Sequence, residues 1–190
     1  TILFGLNWGT AGMIPVSGDY DADGVFDLAV FDPVSNLWWI RSIDAIPPTI
    51  AAGVPWGFSG VIPVSGDYDG DGIYDLAVYD PVTGDWWIRS LVAIPPTIVS
   101  ALNWGFEGME PVSGDYDGDG VYDMAVFELS TGDWWIRSLV VEPATIVSGI
   151  NWGFAGAIPV PGDYDGDGVF DLAVFDQSTG DWYIRSLVSD

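Results

Sequence analysis

Three observations predict that this chain is an all-β protein, a β-propeller of four blades. One pattern of residues recurs at intervals of 48 positions, in units 1–48, 49–96, 97–144 and 145–190. Each unit holds four short runs rich in β-branched and aromatic residues, separated by Gly, Pro and Asp. No apolar run shows the period of a helix. Four strands in a repeat of this length are typical of a propeller blade, and we interpret all 190 residues as one domain.

The third unit illustrates the predicted strands, which cover residues 97–104, 109–114, 122–127 and 134–140. The first of these runs is the outermost strand of the preceding blade, so each blade begins with the second run. The turn between the last two strands contains glycine, or Asn36 in the first unit, because both residue types tolerate a positive φ. The proline-rich loops that follow cannot extend the sheet, because proline has no amide hydrogen.

The two ends of the chain predict how the ring of blades closes. Residues 1–8 are equivalent to an outermost strand, and the chain ends just after the fourth strand of the last unit. We therefore expect the N-terminal strand to complete the last blade, which removes the two open sheet edges. Two alternatives remain. Two chains could pair into an eight-bladed ring, or each chain could donate residues 1–8 to the next molecule in an open head-to-tail assembly.

The hydrophobic content of 49% fits blades that are buried between two neighbours. Trp86 and Trp87, adjacent on one strand, are expected to point to opposite faces and to pack against different blades. One arginine per unit lies on the same strand. We expect these arginines to stack on tryptophan or to pair with aspartate rather than to form an anion-binding ring: Arg41, Arg89, Arg137 and Arg185.

The charge and the missing residue types exclude several functions. Acidic residues outnumber basic residues 28 to 4, and the net charge of −24 disfavours nucleic acid and anionic membranes as partners. No apolar stretch approaches the roughly 18 residues of a spanning helix, so we expect no membrane insertion. The chain has no cysteine, histidine or lysine, which removes disulfides, the commonest zinc ligands and the usual catalytic bases. We therefore expect no catalysis.

An acidic loop between the second and third runs of each unit predicts a calcium site. Three copies read Asp-Tyr-Asp-Gly-Asp-Gly-x-x-Asp, and the first has Ala22 where the others have their first glycine. Carboxylates at positions one, three, five and nine, with a main-chain carbonyl at position seven, suit calcium. An EF-hand is excluded because position twelve of the second loop is Val78 and not glutamate. Magnesium, which retains several waters, is the weaker alternative.

We expect about four calcium ions, one per repeat, each held by five residues of one loop. The repetition of every aspartate favours a bound ion over an empty acidic turn, because unneutralised carboxylates at this spacing repel one another. The predicted ligands are Asp19, Asp21, Asp23, Val25 and Asp27 in the first loop; Asp67, Asp69, Asp71, Ile73 and Asp75 in the second; Asp115, Asp117, Asp119, Val121 and Asp123 in the third; and Asp163, Asp165, Asp167, Val169 and Asp171 in the fourth.

Residues 66–78, Gly-Asp-Tyr-Asp-Gly-Asp-Gly-Ile-Tyr-Asp-Leu-Ala-Val, resemble the FG-GAP repeat of integrin α-subunit propellers and its bacterial VCBS-type relatives. Residues 56–60 lie where that family has its Phe-Gly element, in a different order, and the resemblance covers all four units. It implies calcium loops between the first and second strands of each blade, on one face of the disc. It also implies adhesion or recognition at an extracellular or cell-surface location. Integrin propellers have seven blades, whereas this chain has four units.

These observations together predict a calcium-stabilised extracellular propeller that recognises protein or glycan partners. The alternatives are a structural subunit that self-assembles into an extracellular fibre or repeat array, and an accessory propeller of a polysaccharide-degrading enzyme. The start at Thr1 is expected to reflect processing or a segment of a longer protein. On the face opposite the calcium loops, four tryptophans are candidate platforms for sugar rings, with packing beneath a loop as the alternative: Trp8, Trp56, Trp104 and Trp152.

Overall fold

The computed structural model describes residues 5–140 and 143–188, which form fifteen β-strands and no helix. The strands are arranged as a four-bladed β-propeller, which confirms the predicted fold class. Within these residues, accordingly, there is no helix of the length and hydrophobicity needed to cross a membrane.

Each blade is an antiparallel sheet in which strands pair in the order of the chain. Blade 1 contains β1 (Ile14–Pro15), β2 (Leu28–Asp32), β3 (Leu37–Arg41) and β4 (Thr49–Pro55). Blade 2 contains β5 (Ile62–Gly66), β6 (Asp75–Tyr79), β7 (Asp85–Arg89) and β8 (Thr97–Asn103). Blade 3 contains β9 (Met109–Pro111), β10 (Met124–Glu128), β11 (Asp133–Arg137) and β12 (Thr145–Asn151). Blade 4 contains β13 (Ile158–Pro159), β14 (Leu172–Phe175) and β15 (Trp182–Arg185).

The first strand of every blade lies innermost. Residues of β1, β5, β9 and β13, or directly beside them, line one central cavity of about 400 Å³. The acidic loops leave the end of each innermost strand and return along the second strand. Because the strands alternate in direction, these loops share one face of the propeller, and the segments that enter each innermost strand lie at the opposite face.

The strand bounds differ from the predicted ones by one or two residues for the predicted strands 97–104 and 122–127, which are β8 and β10, and by three residues at the ends of two other strands. The predicted strand 109–114 pairs regularly only over β9, and an isolated bridge then joins Gly114 to Asp123. The predicted strand 134–140 ends at Arg137, because the next amide, that of Ser138, donates a hydrogen bond to the carbonyl of Ala144. The predicted turn conformation is confirmed in all four blades, where residues 36, 84, 132 and 180 have a positive φ.

Three hydrophobic cores lie between successive blades. Trp86 belongs to the core between blades 2 and 3, whereas its neighbour Trp87 packs against the core between blades 1 and 2. The prediction that these two side chains contact different blades is therefore confirmed. The guanidinium of Arg89 lies 5.9 Å from the ring centroid of Trp56, and the other three arginines stack on tryptophan in the same way.

The junction between blade 4 and blade 1 differs from the other three. Blade 4 has three strands within the described ranges, and residues 5–8 belong to no strand. The predicted ring-closing strand, residues 1–8, lies in part outside the described residues. No hydrophobic core of the described residues joins blades 4 and 1. The side chain of Trp182 is 53% exposed, whereas the equivalent Trp38, Trp86 and Trp134 are fully buried.

Candidate metal centre

Each blade carries one acidic loop between its first and second strands. We name these loops 1 (residues 19–27), 2 (67–75), 3 (115–123) and 4 (163–171). In loop 2 the carboxylate of Asp67, at position one, accepts hydrogen bonds from the amides of Gly70 and Gly72, at 2.7 and 2.8 Å. Both glycines have a positive φ, 74° and 86°. The side chain of the first aspartate therefore fixes the shape of the loop by accepting hydrogen bonds from two glycines in the left-handed conformation.

The aspartate at position nine is the most deeply buried member of each loop. Asp27, Asp75, Asp123 and Asp171 are at most 1% exposed. One oxygen of each, Oδ2, accepts a hydrogen bond from the amide of the tyrosine at position two, over 2.7 to 2.9 Å. The other oxygen, Oδ1, is buried without any hydrogen-bond partner in all four loops. A buried carboxylate oxygen with no donor is costly, and a cation beside it removes that cost.

Carboxylates converge in every loop closely enough to share one ion. The ligand atoms of positions one, three and nine lie within 4.8 Å of one another in loops 1, 3 and 4. In loop 2 the corresponding group contains positions one, three and five, namely Asp67, Asp69 and Asp71. Four aspartate groups, one per blade, could thus hold a metal ion. All side chains involved offer oxygen, which hard cations prefer.

The aspartate at position five has a second task within the loop. The carboxylate of Asp71 accepts a hydrogen bond from the amide of Ile73 at 2.8 Å, and loops 1, 3 and 4 repeat this contact. This bond tightens the turn that leads into position seven. The use of the position-seven carbonyl oxygens of Val25, Ile73, Val121 and Val169 as ligands stays a prediction.

Burial and mutual repulsion raise the pKa of three position-nine carboxyls, those of Asp27, Asp75 and Asp123. The pKa of Asp75 and that of Asp123 rise to about 8, first because burial disfavours the charged form and then because the other loop aspartates repel it. The pKa of Asp27 rises to about 6 for the same two reasons. Burial also raises the pKa of Asp69 and Asp117 at position three. The loops therefore concentrate negative charge that only a proton or a cation can neutralise.

The sequence interpretation missed the role of the tyrosine at position two. Its amide holds the position-nine carboxylate in all four loops. Its ring is buried in loops 1 to 3, where Tyr20, Tyr68 and Tyr116 are each 1% exposed, whereas Tyr164 in loop 4 is 47% exposed. The hydroxyl of Tyr68 donates to the side-chain oxygen of Ser113 in the next blade, 2.8 Å away. The identical tyrosine in all four copies was the available signal.

The four candidate tryptophans lie at the face opposite the acidic loops, at the junctions between blades. The indole of Trp56 donates to the main-chain carbonyl of Trp87 in blade 2, at 3.4 Å. The carbonyl of Trp56 accepts from the indole of Trp38 in blade 1, at 2.9 Å. Each candidate side chain is half-buried, and cavities of about 220, 250 and 370 Å³ lie beside Trp8, Trp56 and Trp152. Trp56, Trp104 and Trp152 therefore join neighbouring blades, and Trp8, Trp56 and Trp152 line small apolar hollows.

No protein-family model matches the chain. A search of curated proteins likewise finds no match.

Proposed function

We propose that this protein is a calcium-stabilised propeller that acts outside the cell as a non-catalytic module for adhesion or recognition. The observation that carries the calcium assignment is the buried, unpartnered Oδ1 of the position-nine aspartate in each loop. Oxygen donors from several carboxylates, arranged around a flexible glycine-containing loop, favour calcium over magnesium, which demands a more regular octahedron and retains its waters. The resemblance of residues 66–78 to the FG-GAP repeat supports the same ion.

Calcium linkage favours an extracellular location. If free calcium exceeds the dissociation constant tenfold, each site stabilises the fold by about 1.4 kcal/mol, and four sites give on the order of 6 kcal/mol. This is comparable with the whole stability of an ordinary domain. Extracellular calcium modules bind in the range of about 0.1 to 1 mM, a concentration that the cytosol does not supply. A fold with this dependence suits a calcium-rich exterior.

The proposed recognition surface is the face opposite the acidic loops, which carries Trp8, Trp56, Trp104 and Trp152. The hollow beside Trp56 is walled by Phe58 and Trp87, whose rings lie 4.9 Å apart and almost perpendicular. Aromatic walls of this kind bind sugar rings by stacking, and they also accept apolar side chains of a protein. Similar hollows lie beside Trp8 and Trp152, so this face offers several equivalent binding positions. A ligand that occupies more than one of them binds more tightly than a single weak contact would allow.

Thermal unfolding tests the calcium part of the proposal. We expect the melting temperature to rise with calcium, to rise less with magnesium at equal concentration, and to fall in excess EGTA. An equal melting temperature in calcium and in EGTA would contradict structural calcium. A calorimetric titration then counts the ions, with about one per blade expected.

Binding to arrays of glycans and matrix proteins tests the recognition part. We expect Phe58→Ala to weaken binding, because it removes a wall of the hollow beside Trp56. Val82→Ala is the matched control, since Val82 is 71% exposed in a turn and lines none of the hollows. Absence of binding to every glycan and protein, by a calcium-loaded folded sample, would count against recognition.

A further inference from the structure

The three formed junctions between blades repeat one set of contacts. The ring of Tyr74 in blade 2 covers Gly18 in blade 1 so closely that a Cβ on Gly18 would lie 2.1 Å from it. Tyr122 covers Gly66, and Phe170 covers Gly114, in the same manner. The amide of the covering residue also donates a hydrogen bond to the first aspartate of the preceding loop, at 2.7 Å in all three junctions. The acceptors are Asp19, Asp67 and Asp115.

A second contact of each junction lies on the opposite face. The indole of a buried tryptophan donates to the main-chain carbonyl of the tryptophan that enters the next blade. The pairs are Trp38 with Trp56, Trp86 with Trp104, and Trp134 with Trp152, at 2.8 to 2.9 Å. One face of each blade carries the covered glycine and the donating indole, and the facing side of the next blade carries the covering ring and the accepting carbonyl. The two contacts together determine how these faces fit.

Both halves of a fourth junction are present, and no contact of this kind joins them among the residues that the structure describes. Phe26 is the blade 1 equivalent of Tyr74 and is 58% exposed. Gly162 is the blade 4 equivalent of Gly18, and a Cβ there would meet only the ring of its own neighbour Tyr164, at 3.4 Å. Within the described ranges, no main-chain hydrogen bond joins Phe26 to Asp163, and the indole of Trp182 has no bond to Trp8.

The unjoined face of blade 4 is markedly apolar. On blade 4 the side chains of Trp182, Tyr183 and Ile184 are 53%, 43% and 43% exposed. The equivalent Trp134 and Ile136 in blade 3 are fully buried by blade 4. Contiguous apolar exposure of this kind marks an interaction surface.

We propose that blade 4 of one copy receives blade 1 of a second copy, through the contacts that join the blades within the chain. Phe26 of the second copy covers Gly162, its amide donates to the carbonyl of Asp163, and its Trp8 carbonyl accepts from the indole of Trp182. The occupant is a second copy because the three internal junctions are three examples of these two faces fitting each other. The contact is head-to-tail, so repeated docking builds a larger ring or a filament.

Two variants change the two faces one at a time, at Gly162 in blade 4 and at Phe26 in blade 1, whose ring also lies 5.7 Å from that of Tyr74. Gly162→Ala places a methyl group where Phe26 of the second copy must lie. Within its own chain that methyl group makes only ordinary van der Waals contacts. Phe26→Ser removes the covering ring from an exposed position. Val34→Ser is the matched control for the second variant, because Val34 lies in a turn of blade 1 and is 89% exposed.

Light scattering across a wide range of concentrations, in calcium, tests the proposal. We expect the wild-type chain and Val34→Ser to show multiples of the 20.4 kDa chain mass, and each face variant to be monomeric. Mixing the two face variants is the sharpest test, since one retains an intact blade 1 and the other an intact blade 4. We expect that mixture to form a two-chain complex.

The opposite results overturn the proposal. A wild-type chain that stays monomeric at every concentration shows that no second copy docks; if Gly162→Ala then lowers its melting temperature, blade 1 of the same chain fills the site. Assemblies that persist in Phe26→Ser or in Gly162→Ala show that copies associate through other surfaces. Near-ultraviolet circular dichroism of each variant confirms that the aromatic cores are folded.

Discussion

The backbone amide of Tyr74 donates a hydrogen bond to the carbonyl oxygen of Asp19, 2.7 Å away. Tyr74 is position eight of loop 2, and Asp19 is position one of loop 1. The same bond links loop 3 to loop 2 and loop 4 to loop 3. The acidic loops thus form a main-chain series around one face of the propeller, and an ion that rigidifies one loop also restrains its neighbour. Calcium would therefore stabilise the contacts between blades as well as each separate turn.

Asp123→Asn should lower the calcium-dependent part of the stability and leave the calcium-free fold intact. The asparagine oxygen still accepts the hydrogen bond from the amide of Tyr116, at 2.8 Å in the wild type, but it brings no charge to an ion. With free calcium tenfold above the dissociation constant, loss of one site removes about 1.4 kcal/mol. Urea denaturation with calcium and with EGTA measures both parts. Asp181→Asn, exposed and outside the loops, should retain the whole calcium increment, and an unchanged increment in Asp123→Asn would remove this residue from the site.

The calcium-free protein should lose stability as the pH rises. Asp75 and Asp123 have folded-state pKa values of about 8, and Asp27 of about 6, against about 3.9 in an unfolded chain. Because the folded state binds these protons more tightly, their contribution is full below about pH 4 and disappears as the pH passes through 6 and then 8.

Urea denaturation in EGTA at a series of pH values measures this slope. The double variant Asp75→Asn/Asp123→Asn should flatten the slope between about pH 6 and 8, which separates these carboxyls from the general repulsion of the acidic chain. In calcium the slope should be weaker or inverted, because protons then compete with the ion. A calcium-free stability that rises with pH would contradict the buried, unneutralised state of these aspartates.

The sequence was sufficient for the four-bladed fold and the position of the acidic loops, because both follow from local patterns that repeat. The hydrogen bond from the amide of Tyr68 to the carboxylate of Asp75 could not be derived from the spacing of the residues, because it depends on the three-dimensional path of the loop. The separation of blades 4 and 1 could not be predicted from the sequence either. Phe26 and Tyr74 are equivalent in sequence, and only the packing shows that one covers a glycine and the other is exposed.

Loop 1 should become more stable when Ala22 is replaced by glycine. Ala22 has a φ of 62°, a left-handed conformation that the other loops assign to glycine, as at Gly70 with 74°. A left-handed alanine costs about 1 to 2 kcal/mol, and part of this is offset because glycine loses more entropy on folding. We expect Ala22→Gly to gain up to about 1 kcal/mol.

The reverse change, Gly70→Ala, is the matched comparison for that gain. It should cost at least about 1 kcal/mol, because the new Cβ would also lie 3.0 Å from Val121 in the next blade. Chemical denaturation in EGTA measures both variants without the contribution of the ion. Equal effects of the same sign would show that the two loops do not share this backbone conformation.

Replacement of the repeated buried tryptophan should depend strongly on the blade. Trp86 is fully buried, and its indole donates to the carbonyl of Trp104 at 2.9 Å. Trp86→Phe leaves that carbonyl without its donor and opens a small cavity, at a cost of about 2 to 3 kcal/mol. Trp182 is the equivalent residue of blade 4 but is 53% exposed. Trp182→Phe should therefore change the stability of an isolated chain by no more than about 0.5 kcal/mol.

Both tryptophan replacements should be measured in the Gly162→Ala background, which we expect to keep the chain monomeric. In a chain that retains Gly162, at high concentration, Trp182→Phe should instead weaken association, because phenylalanine has no N–H to donate to the carbonyl of Trp8 in the docked copy. A large loss of monomer stability on Trp182→Phe would mean that blade 4 is covered within a single chain. Because Trp86 and Trp182 occupy equivalent positions, the two variants together show which blade faces are covered within one molecule and which face is covered by a second molecule.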